Sequence, residues 1–99
     1  MADGSSQYKI KASGETAVFL RRLHPRIKGK IKSALKLIFA DPASGKSLKE
    51  ELEGLRSFRT GRFKIIYRIA RAHTIEIIAI GPRKNIYEET YRIIKNENS

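Results

Sequence analysis

Residues 55–87 read LRSFRTGRFKIIYRIARAHTIEIIAIGPRKNIY, and the alternation within them decides the fold. Two runs, residues 63–70 and 74–80, are rich in β-branched and aromatic residues and bounded by turn formers, which predicts two strands. Residues 57–59 supply a partner for the first run. A two-residue turn at Thr60-Gly61 would set Phe58 opposite Phe63 and Arg59 opposite Arg62. Side chains alternate along a strand, so Phe58, Phe63, Ile65, Tyr67 and Ile69 then share one face. The other face carries Ser57, Arg59, Arg62, Lys64, Ile66 and Arg68. Like charges set directly across a hairpin repel each other. Four cations on one sheet face therefore predict a polyanionic partner that compensates them.

Upstream, residues 7–12 alternate Tyr8 and Ile10 against Lys9 and Lys11, which predicts a first strand with one face inward. Ser13 can cap a helix whose first turn holds Glu15, where the helix dipole favours an anion. Ala17, Leu20 and Leu23 form its stripe, with Phe19 beside it. His24-Pro25 ends that helix, and Pro25 suits the first turn of the next. The second helix spans residues 25–40, with Ile27, Ile31, Ala34, Leu35 and Ile38 on one stripe. Asp41-Pro42 stops it. Residues 43–46 read as a loop, and Leu48, Leu52 and Leu55 suggest a helical turn. Arg71-Ala72-His73 is the turn between the last two strands, so His73 reads as a turn residue and His24 as a helix-boundary residue. Gly81-Pro82 breaks the last strand. Residues 86–95 form a terminal helix with Ile86, Tyr87, Thr90, Tyr91 and Ile94 inward. The expected fold is α+β: an N-terminal helical hairpin packed on a mainly antiparallel sheet of about four strands, then a short C-terminal helix. Residues 1–7 read as a disordered leader, 8–95 as one domain and 96–99 as a fraying tail.

Composition narrows the function. The chain has 99 residues and a hydrophobic fraction of 40%, enough for one modest core with little area to spare for a buried cofactor. It has no cysteine, which excludes a disulfide scaffold, a thiolate metal site and a cysteine nucleophile, and fits a cytoplasmic protein. No apolar run reaches membrane-spanning length, and no signal-peptide pattern opens the chain. The net charge of +11, with a pI near 10.3, points to a polyanionic partner. Between Arg21 and Lys36 the charged residues are Arg21, Arg22, Arg26, Lys28, Lys30, Lys32 and Lys36, with no acid among them. A solvated helix face usually mixes both signs, so this run suggests phosphate contact. No aromatic residue interleaves it, so it would position a nucleic acid rather than read bases. Glu50, Glu51 and Glu53 gather in a surface-type segment with no histidine nearby, which favours a solvated face over a metal site.

The common catalytic motifs are absent: there is no P-loop, no Gly-rich dinucleotide fingerprint and no HExxH. A cationic sheet face ending in Gly81-Pro82-Arg83 and Tyr87 remains. That set suits metal-independent RNA scission, in which the ribose 2′-OH attacks the adjacent phosphorus. The protein must then orient the 2′-OH, neutralise the phosphorane and assist proton transfer. Guanidinium groups bind phosphate oxygens bidentately and stay charged. Crowded cations lower the pKa of a lysine or a tyrosine, so Lys64 or Tyr87 could act as the base.

The string GRFKIIYRI, followed by a hairpin and by IEIIAIGPRKNIY, resembles the core of the RelE toxins within the RelE/ParE superfamily. The upstream DPASGKSLKEELEGL is similar to that family's loop before its second strand. The resemblance implies a RelE-like fold and a ribosome-dependent endoribonuclease from a toxin–antitoxin pair. It would cleave mRNA in the A site of the 70S ribosome without a cofactor. A cognate antitoxin would wrap its basic surface, and the complex would act on operator DNA. The resemblance assigns catalysis to Arg83 after the last strand, Tyr87 beyond it, Lys64 in place of the family's usual Arg, and more loosely Arg59 and Arg62. The helix cations named above, with Arg68 and Lys84, would hold RNA and the ribosome. Pro82 stands where many members have His, so no His role carries over. Two alternatives stay open: a ParE-like DNA gyrase inhibitor of the same fold, and a non-catalytic nucleic-acid-binding module.

Overall fold

The computed structural model describes residues 8–82 and 84–97. The expected leader, residues 1–7, lies outside the described residues, and so do residues 98–99 and Arg83. Three helices and five strands follow in the order β1 (Lys9–Ala12), α1 (Gly14–Arg22), α2 (Pro25–Ala40), β2 (Lys46–Ser47), β3 (Arg56–Thr60), β4 (Phe63–Ala70), β5 (Thr74–Pro82) and α3 (Ile86–Glu97). The α+β reading holds. The sheet order is β1-β5-β4-β3-β2, antiparallel except for the parallel pair β1–β5. The fifth strand is β2, which sequence alone places at the end of a loop.

Local chemistry explains the helix ends. The Ser13 side chain accepts from Thr16 N at 3.1 Å and caps α1. His24 caps α2, its Nδ1 accepting from Arg26 N at 3.1 Å, with Pro25 in the first turn. Ile31, Ala34 and Ile38 of α2 are buried against Ile65, Tyr67, Ile75, Ile77 and Ile80 of the sheet, and Ile27, Leu35, Phe58 and Phe63 border them. Each fully buried isoleucine contributes about 1.5–3 kcal/mol.

The β3–β4 hairpin differs from expectation in register. Its turn is Gly61-Arg62, not Thr60-Gly61, so Phe58 pairs with Ile65, Arg59 with Lys64 and Thr60 with Phe63. Gly61 takes φ +61 at the first turn position, where glycine bears no steric cost. The register moves by two residues, which preserves face parity, so the expected division survives for the strand residues, while Arg62 leaves the second face for the turn.

The second face corrects the sequence reading more deeply. It is not an open stack of cations. Leu55, Ile66, Ile78, Ala79 and Ile86 form a second buried cluster there, bordered by Leu48, Leu52, Ile93 and Ile94. A bulge makes this possible. Ile66 pairs with Ala79 but Tyr67 with Ile77, so Ile78 is an extra residue in β5. Ile78 and Ala79 both join the second cluster, while Ile77 and Ile80 serve the first. The sheet thus carries α1 and α2 on one face and α3 on the other.

Other expectations also change. Gly81-Pro82 does not break β5: Gly81 pairs with Lys64 and Pro82 with Phe63. Strand β1 is wholly exposed and Ile10 is 47% exposed, because β1 is an edge strand that the helices leave uncovered. In α1 the buried residue is Thr16, and the stripe of Ala17, Leu20 and Leu23 is only partly buried. In α3, Ile86 and Thr90 are buried as expected, while Tyr87 and Tyr91 stay 37% and 45% exposed.

Candidate active site

Antiparallel pairing lines up two cross-strand rows on the α3 face. One row is Arg59–Lys64–Gly81, and the next is Lys46–Ser57–Ile66–Ala79. Directly paired residues point to the same face. Helix α3 begins over these rows and sets Tyr87 in its first turn. The Lys64 ammonium donates to Tyr87 Oη at 2.6 Å and lies 4.5 Å from the centroid of the ring. That is a short charge-assisted hydrogen bond combined with a cation–π contact.

The electrostatics of Tyr87 follow from these neighbours. Partial burial alone would push its phenol up. The hydrogen bond from Lys64, the neighbouring Ser57 hydroxyl and the charges of Lys64 and Lys46 outweigh that, and the pKa falls below the ordinary phenol value. Gly81 lets α3 come this close: a Cβ on it would lie 3.1 Å from Ile86 Cδ1.

The structure brings together Lys64, Tyr87 and, across the hairpin, Arg59, but it does not bring Arg62 to them, because the register leaves Arg62 in the turn on the α2 side. Arg59 faces Lys64 across the hairpin, and its Nε donates weakly to Gly61 O at 3.5 Å. Arg62 shares a groove with Lys30 of α2, lined also by Ile27, Ile31, Thr60, Gly61 and Phe63. Arg68 stands at the far end of β4 and is ion-paired with Glu76 at 2.6 Å. Lys84 is exposed in the turn closed by Asn85 N donating to Pro82 O at 3.2 Å. The helix cations Arg21, Arg22, Arg26, Lys28, Lys30, Lys32 and Lys36 lie on the hairpin that covers the opposite sheet face. Arg21, Lys28 and Lys32 there rim a groove with Leu20, Ile31 and Leu35. Among the described residues no group of three or more His, Cys, Asp or Glu side chains could hold a metal ion. No helix among them is long and apolar enough to cross a membrane.

The sequence profile of the ParE toxin of type II toxin–antitoxin systems, parDE, matches residues 12–87. This chain belongs to the RelE/ParE toxin superfamily. The toxin is 30% identical to a chain of the RelBE2 toxin–antitoxin complex from Mycobacterium tuberculosis, over 77% of this chain and 98% of that one, with a TM-score of 0.66. A mutant of Escherichia coli RelE in the free state shares the fold at 14% identity and a TM-score of 0.72, covering 90% of this toxin and 96% of that chain. The YoeB/ParE toxin from Agrobacterium tumefaciens does so at 21% identity and a TM-score of 0.65, over 76% and 98% of the two chains. No curated protein matches the toxin significantly.

Sequence reasoning missed two residues of this candidate site. Ser57 is buried and helps to lower the Tyr87 pKa, and Lys46 pairs with it from β2. The parity of Ser57 with Lys64 was visible in the alternation. Nothing local in DPASGKS showed that Lys46 joins the sheet.

Proposed function

We propose that this toxin is a ribosome-dependent endoribonuclease that cleaves mRNA in the A site. The observation that carries the reading is the Lys64–Tyr87 pair: a phenol held below its ordinary pKa by an ammonium 2.6 Å away, on a face rich in cations. Because Lys64 donates to Tyr87, the tyrosine oxygen is the proton acceptor of the pair. In the reaction, the Tyr87 phenolate takes the proton of the ribose 2′-OH. The 2′-oxygen bonds to phosphorus and the bond to the 5′-oxygen breaks, which leaves a 2′,3′-cyclic phosphate. The departing oxygen takes a proton from solvent and becomes a 5′-hydroxyl. Lys64 and Arg59, with Arg83, meet the charge that grows on the phosphate. No step requires a metal ion.

The partner proposed for storage of the toxin is a cognate antitoxin, supported by the toxin–antitoxin complexes among its solved relatives and by a net charge of +11. The helix cations would contact ribosomal RNA, and the antitoxin complex would bind operator DNA. The ParE profile match supports a second reading, inhibition of DNA gyrase by the same fold. Primer extension on a translated message with purified toxin, beside a gyrase supercoiling assay, separates the two. Cleavage within A-site codons yielding 5′-hydroxyl ends is expected. Intact message with blocked supercoiling would reverse the assignment.

A further inference from the structure

Lys46 opens a strand of two residues, too short to hold itself in place. Its position is set from the core. Tyr67 of β4 is fully buried, and its hydroxyl donates to Pro42 O at 2.6 Å and accepts from Gly45 N at 3.0 Å. Arg56, the cross-strand partner of Tyr67, donates through Nη1 to Gly45 O at 2.8 Å and to Ala43 O at 3.2 Å. Two neighbouring side chains of the sheet thus clasp the segment that ends at Lys46. A satisfied polar network of this kind imposes one geometry on the chain it holds.

The register then aims Lys46. It pairs with Ser57, which pairs with Ile66, so Lys46 shares the face of Lys64 and Tyr87. It lies two strands away from Lys64 and one row along, roughly 12 Å between Cα atoms from standard sheet spacings. That separation lets the two ammonium groups spread over two successive phosphates of one strand. We propose that Lys46 binds the phosphodiester next to the scissile one, and that Tyr67 and Arg56 are positioning residues that hold it there through residues 42–45. The proposal rests on the endoribonuclease reading of the same site.

The probe is a pair of non-cleavable 2′-deoxy oligonucleotides, a dinucleotide with one phosphodiester and a trinucleotide with two. Binding to the purified toxin is followed by NMR through the Tyr87 ring and Lys46 side-chain signals. The trinucleotide should bind several-fold more tightly than the dinucleotide. Lys46→Met should abolish that increment, and Lys46→Arg should keep most of it. Tyr67→Phe retains the lysine but opens the clasp, and should also lose the increment while its circular dichroism stays native. If the increment survives Lys46→Met, or the trinucleotide leaves Lys46 unshifted, Lys46 is only a charge that guards a sheet edge and the proposal is wrong. If Tyr67→Phe unfolds, Arg56→Met serves for the clasp. A folded clasp variant that keeps the increment removes the positioning role. Message cleavage on ribosomes is measured separately, so an increment without cleavage would sink the endoribonuclease reading and leave the phosphate site standing.

Discussion

Gly45→Ala is the sharpest test of how the core holds the loop beside the site. Gly45 has φ −74 and ψ 151, a conformation any residue adopts, so backbone strain is not the issue. The added Cβ would lie 2.5 Å from Tyr67 Oη, 2.8 Å from Cε1 and 3.0 Å from Cζ. Tyr67 cannot step aside, because it is fully buried and its hydroxyl is bonded to Pro42 O. Overpacking of a tight site costs about 1–3 kcal/mol. A displaced phenol also weakens two hydrogen bonds, each worth about 0.5–1.5 kcal/mol. Against this, alanine restricts the unfolded chain and returns about 0.4–1 kcal/mol. The net expectation is a loss of about 2–3 kcal/mol. For a domain of this size that lowers Tm by roughly 10–20 °C. Thermal and urea unfolding followed by far-UV circular dichroism measure it directly. Gly29→Ala is the control: it lies within α2 with nothing within 4 Å of the new Cβ, and should stabilise by about 0.5–1 kcal/mol. A midpoint for Gly45→Ala that is unchanged or raised would refute the close-approach argument.

The remaining predictions concern chemistry and binding. Tyr87→Phe should slow single-turnover message cleavage about 10²–10⁴-fold, the range of general-base catalysis, and a variant at wild-type rate would remove Tyr87 from the reaction. The pH profile carries a sign: the site lowers the Tyr87 pKa, so the active phenolate is lost as pH falls through that lowered value. Lys64→Met should therefore move the rising limb of the rate to higher pH, and a limb that stays in place would show another group titrating. Arg83→Ala should cut the cleavage rate roughly a hundredfold while ribosome affinity changes far less, and equal losses in both would make Arg83 a docking residue. Reversing the charges of Arg22, Arg26, Lys28, Lys30 and Lys32 should reduce the magnitude of the log–log salt slope of ribosome binding by about 0.7–0.9 for each phosphate no longer neutralised. Unchanged binding would leave these residues as a solvated face.

Much of this protein follows from its sequence by itself. The period of two in FKIIYRIA and TIEIIAI and the helical stripe of Ile27, Ile31, Ala34, Leu35 and Ile38 set the α+β class, because periodicity is a local property that burial merely amplifies. The cap at Ser13, the helix boundary at His24 and the turn at residues 71–73 were legible for the same reason: the groups involved are two to four residues apart. Lys64 and Tyr87 were legible as candidate site residues, through family resemblance and through the face assigned to Lys64, and the two side chains do meet. Tertiary structure alone decided the rest. It inserted Ile78 as a bulge within an uninterrupted apolar run, where no local signal separates an extra residue from its neighbours. It laid α3 over Ile66 and Ile78, which turned an expected cation stack into a second core and confined the cations to its edge. It paired Lys46 with Ser57 and tied residues 42–45 to Tyr67, 22 to 25 positions away in the chain. Such pairings depend on which surfaces are left to cover once the first core has formed, and that is a property of the whole fold rather than of any stretch within it.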